Sequence, residues 1–116
     1  MTVDELRDLA LALPEVTEQE HHGMASFRVR GKIFATLPDP EHVRVMVEEP
    51  EIRACAAEDP ETFAEFWWGR RLACVVVDLR RVDPRQLAEL LTDAWRRKAP
   101  AGLVREYHGG GSGSQG

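Results

Sequence analysis

A chain of 116 residues, 43% hydrophobic and 30% charged, has the composition of one globular domain that buries about two-thirds of its unfolded surface around a single core. No apolar run reaches the roughly 18 residues of a membrane span and the acidic N-terminus is unlike a secretory signal, so a cytoplasmic protein is expected. A net charge of −5 excludes loose polyanion binding as the natural expectation, and any nucleic-acid role has to come from a local basic face.

The charge is unevenly spread. Residues 1–66 hold 6 Lys/Arg against 15 Asp/Glu, whereas residues 67–105 hold 9 against 4. The two cysteines, Cys55 and Cys74, lie among small or apolar residues and read as reduced, buried thiols.

In chain order, Thr2 and Glu5 form a capping box, and Val3, Leu6, Leu9, Ala10 and Leu13 follow on one helical stripe that Pro14 stops. The acidic stretch Glu15 to Gly23 reads as a loop. Its Glu18, Glu20, His21 and His22 resemble a metal-ligand cluster in composition, but their irregular spacing argues against a metal site. A hairpin comes next, Ala25 to Arg30 and Ile33 to Leu37, joined by Gly31-Lys32 as a two-residue turn. That register puts Phe27, Val29 and Phe34 on the core face. It leaves Arg28, Arg30, Ile33, Ala35 and Leu37 on the other, a mixed face that suits a binding surface, a dimer contact or a plain exposed sheet.

Asp39-Pro40-Glu41 turns the chain into a third strand, His42 to Glu48, with Val43, Val45 and Val47 inward and His42, Arg44 and Met46 outward. Pro50 opens a short second helix ending near Asp59-Pro60. A turn with Phe63 and Phe66 precedes a nearly continuous apolar strand, Leu72 to Leu79, which reads as central in the sheet. Asp83-Pro84 with Gln86 starts a third helix carrying Leu87, Leu90, Leu91, Ala94 and Trp95 on one stripe. It ends in Arg96-Arg97-Lys98, which complement the negative end of the helix dipole. Residues 1–105 are read as the single domain and 106–116 as a flexible Gly/Ser-rich tail.

The segment Phe66-Trp67-Trp68-Gly69-Arg70-Arg71 is the richest in binding chemistry, because aromatic faces beside guanidinium groups suit stacking and phosphate contact. A tryptophan that merely closes the core is the bland alternative. There is no nucleophile–base pattern, phosphate loop or CxxC spacing, so no enzyme, cofactor or metal is expected.

Four stretches together resemble the MmcQ/YjbR family: Leu11-Ala-Leu-Pro14-Glu-Val-Thr17; Phe27-Arg-Val-Arg-Gly31-Lys32-Ile-Phe34-Ala35; Trp67-Trp68-Gly69-Arg70-Arg71; and Glu89-Leu-Leu-Thr-Asp-Ala-Trp95-Arg-Arg-Lys98. In the family a Ser-Tyr pair is more usual where Ala94-Trp95 stands here. The resemblance implies a CyaY-like α+β fold in the order α-β-β-β-α-β-α, with helices on one face of an antiparallel sheet, in a bacterial protein labelled DNA-binding at family level. The expected nucleic-acid contacts are Arg28, Arg30, Lys32 and Arg44 on the sheet, with Trp67, Trp68, Arg70 and Arg71 beside them. A protein-interaction or small-anion module, or a homodimer through the open sheet face, is the alternative.

Overall fold

The computed structural model describes residues 1–112 and shows an α+β fold. Among the described residues α1 (Val3–Leu11), α2 (Glu49–Glu58), α3 (Pro84–Lys98) and α4 (Ala101–Ser112) accompany β1 (Val16–His21), β2 (Met24–Val29), β3 (Lys32–Asp39), β4 (His42–Val45), β5 (Phe63–Trp68) and β6 (Arg71–Asp78). The strands form one sheet in the order β1-β2-β3-β4-β6-β5, antiparallel at every step. Among the described residues no helix is long and apolar enough to cross a membrane.

Local chemistry sets the helix ends. Thr2 accepts a hydrogen bond from the Glu5 amide at 3.1 Å, and the Glu5 carboxylate accepts one from the Thr2 amide at 2.8 Å, which completes the capping box. Asp83 accepts from the Gln86 amide at 3.1 Å, with Pro84 in the first helical turn. The core lies between the helices and one sheet face. Phe27, Val29, Phe34, Val43, Val45, Val75 and Val77 of the sheet meet Leu6, Ile52, Leu87, Leu91 and Trp95 of the helices. Both cysteines are buried.

Five details depart from the sequence expectations. The acidic stretch read as a loop is β1, an edge strand paired with β2 from Val16↔Val29 to His21↔Met24. Its hydrophobic alternation is faint because this edge strand buries no side chain fully, and its charges deter pairing with another chain. The turn holding Phe63 and Phe66 is the opposite edge strand, β5.

The hairpin turn is Arg30-Gly31, since Val29 pairs with Lys32. Both turn residues have positive φ, 51° and 82°, the combination that matches the strands' twist. Finally, the register slips so that Phe27 faces Ala35 while Arg28 faces Ile33, leaving Phe34 opposite no residue. This bulge turns Ala35 and Leu37 to the core face, where both are buried. The tail expected from residue 106 falls partly on α4 and partly, at 113–116, outside the described residues.

Candidate ligand-binding face

The sheet face away from the helices carries the site. Pairing aligns Gln19, Ser26, Thr36, Arg44, Val76 and Ala64 in one row across all six strands. Beside this row a cavity of about 430 Å³ opens on the surface. Met24, Ile33, Met46, Phe66 and Trp68 give it an apolar floor and wall, and Arg44, Arg71, His21, His22 and Thr36 supply its polar groups. Among the described residues no carboxylate lines it.

Four of the sequence-predicted residues share this face. The Arg28 Nε donates to Ser26 Oγ at 3.2 Å, and Ser26 Oγ in turn donates to the Gln19 carbonyl at 2.7 Å. The Arg44 guanidinium lies 4.4 Å from the Phe66 ring centroid, a cation–π contact that holds the charge over the cavity. Arg71 and Trp68 are cross-strand partners. Trp68 is 72% exposed, with its ring centroid 6.5 Å from that of Phe66. Arg70 sits beside them at the exposed tip of the β5–β6 turn, after Gly69 at φ 63°.

The other three predicted residues do not join them. Arg30 is in the turn rather than on the sheet face, and its guanidinium grips the Glu15 carboxylate, with Nη2 to Oε2 at 3.0 Å. That bond holds the Glu15 carboxyl below its ordinary range. Lys32 lies opposite Val29 at the start of β3, on the side of Lys98 at the end of α3. Trp67 is 44% exposed on the α2 side, with Arg53 5.6 Å from its ring centroid and its Nε1 donating to Glu65 at 3.1 Å. Strand alternation sends the two neighbouring tryptophans to opposite faces of the sheet.

Sequence reasoning missed two features. Thr36 is 5% exposed, lines the cavity, and its Oγ1 has no hydrogen-bond partner among the described residues. The available signal was a threonine amid the apolar run of β3. The second feature is a basic recess of about 290 Å³ next to the first cavity, which includes Arg71, Arg97, Lys98 and Glu49 in its lining. Arg97 donates to the Met46 carbonyl at 2.6 Å, and the Lys98 ammonium is lowered by burial and then by Arg97, Arg71 and Lys32. The basic end of α3 therefore does more than complement its dipole, since it extends the cationic rim that Arg71 begins.

The remaining reactive groups offer little chemistry. Burial pushes the Cys74 thiol up to about 11 and also raises that of Cys55, the opposite of what a thiolate nucleophile needs. Glu18 is held by Arg7 at 3.0 Å, and strand alternation turns it away from His21. Among the described residues no group of three or more His, Cys, Asp and Glu is arranged to hold a metal ion.

Comparison with known proteins bears on the fold and the family. No curated protein matches the sequence. The crystal structure of Deinococcus radiodurans protein DR2400, described as a DUF419 domain, superposes with a TM-score of 0.71. It is 23% identical, and the match covers 81% of this chain and 75% of that one, a likeness that concerns the fold. The YjbR family model matches residues 11–97, which takes in all six strands, α2 and nearly all of α3. By that match, the chain belongs to the YjbR family.

Proposed function

We propose that this protein is a non-enzymatic cytoplasmic domain that binds single-stranded DNA on its open sheet face. The observation that supports this most is the grouping of Arg44 and Arg71 with Phe66 and Trp68 around one cavity free of carboxylates. Exposed aromatic rings stack on bases of any sequence, and guanidinium groups take the backbone phosphates. Arg28 on the same face extends the cationic track, and Arg70 lies at its edge. A single strand suits the surface better than a duplex, whose paired bases present no free ring to Trp68. The raised thiols support a binding role over covalent catalysis.

Contacts from Arg28, Arg44 and Arg71 give log affinity against log salt a slope of about −2 on a single strand. Fluorescence anisotropy of a labelled oligo(dT) across 50–200 mM salt tests this. The double variant Arg28→Gln/Arg71→Gln should flatten the slope to about −0.7, while Arg30→Gln leaves it unchanged. Absence of saturable binding at the lowest salt removes the proposal.

A second copy of the chain on this face is the weaker reading, although the exposure of Trp68 favours it. An isologous contact would bring the Arg28, Arg44 and Arg71 side chains of both copies together. Light scattering over a concentration series decides it.

A further inference from the structure

We infer that the 430 Å³ cavity is a pocket for one unstacked nucleotide, its base against the apolar wall and its polar edge bonded to Thr36. This rests on the nucleic-acid reading of the same face and adds to it the unit recognised. Three observations converge on a planar, polar-edged and anionic occupant.

The first is Thr36 itself. A buried hydroxyl without a partner is unfavourable, and Thr36 Oγ1 is such a group, on a residue only 5% exposed that lines the cavity. Its row neighbours are engaged: Ser26 Oγ by Gln19 and Arg28, and Arg44 by the Phe66 ring. A hydroxyl both donates and accepts, so it can serve the carbonyl or the ring and exocyclic nitrogens of any base. The second is the wall. Met24 and Ile33 lie on the sheet and Met46 just past the end of β4, with Phe66 and Trp68 at the side, and flexible thioethers and aromatic rings suit a flat heteroaromatic ring. The third is the rim, where Arg71 stands between this cavity and the basic recess holding Arg97 and Lys98. A phosphate attached to a base in the cavity reaches cations on that side.

The size of the cavity falls at the lower end of the 300–1,000 Å³ typical of small-molecule sites. That admits a base and excludes a stacked pair of strands. A nucleotide within a DNA single strand and a free mononucleotide present the same chemistry, so the test carries both.

The experiment is methyl NMR on the full chain, titrated separately with thymidine 5′-monophosphate, adenosine 5′-monophosphate and inorganic phosphate, alongside oligo(dT) anisotropy. The nucleotides should shift the Met24, Ile33 and Met46 methyl signals saturably, and inorganic phosphate should bind about tenfold more weakly. Thr36→Val, nearly isosteric, should hold or raise the melting temperature and weaken nucleotide binding about fivefold. Ala73→Phe, filling the cavity, should abolish the shifts. Phosphate binding as tightly as either nucleotide overturns the inference, and so does unchanged nucleotide affinity in a folded Thr36→Val.

The two readings fail separately. Oligo(dT) binding that keeps its affinity and salt slope in Thr36→Val and Ala73→Phe leaves the open-face reading standing and removes the base pocket. Thr36-dependent nucleotide binding without oligo(dT) binding supports the pocket as a free-nucleotide site and removes the strand reading.

Discussion

Trp95 ties together three distant parts of the chain through one side chain. It is fully buried in α3, its Nε1 donates to the Pro14 carbonyl at 3.0 Å, and its ring meets Tyr107 of α4 edge-on at 5.1 Å between centroids. Trp95→Phe removes the donor and leaves a void, at a cost of about 2–3 kcal/mol in urea unfolding. Glu51 makes a pH-dependent contribution. Burial first, then the Asp93 hydrogen bond and the charges of Asp93 and Glu48, raise its pKa from 4.5 to about 7. The folded state therefore holds a proton that the unfolded chain has released. The resulting stabilisation is complete below about pH 4.5 and is lost as pH rises through 7, amounting to about 1 kcal/mol after solvent screening. Thermal melts between pH 5 and 8 should show that decline, and Glu51→Gln should remove it. A wild-type midpoint that does not fall across this range contradicts the assignment.

At the scale of elements, strong local signals were legible and weak ones were not. The capping box at Thr2, the Asp83-Pro84 helix start and the valine alternation of β4 each specify one conformation, and each is present. The edge strands β1 and β5 carry no such signal, because strands that together bury only Phe63 fully have little hydrophobic period to read. The hairpin shows how a small error propagates. Moving the turn from Gly31-Lys32 to Arg30-Gly31, and adding the Phe34 bulge, withdraws Arg30 from the sheet face and sends Ala35 and Leu37 into the core. Of the site, the arginines and Trp68 were visible as residue types. Thr36 was not, because its importance lies in a missing partner rather than in its identity. The turn assignment is testable: Gly31 has φ 82°, so Gly31→Ala should cost about 1 kcal/mol in denaturant unfolding, and no loss of stability would contradict it.

For the whole molecule, a net charge of −5 coexists with a face whose cavity lining is cationic and apolar. Acidic groups are spent elsewhere: Glu15 on Arg30, Glu18 on Arg7, and Asp78 on Arg80 and Arg81. The Asp78 carboxyl, pulled down to about 2 chiefly by Arg80, stays charged through the physiological range. Long-range repulsion by the acidic total should keep association with polyanions slow and favour local contacts. The most direct measurement of the central claim is a backbone-amide chemical-shift footprint of oligo(dT) on the isotope-labelled protein at low salt. Shifts should concentrate on β2, β3, β4 and β6 around Thr36, Arg44 and Arg71 and extend to Trp68. Shifts confined to the helical side, or none at saturating oligonucleotide, would contradict it.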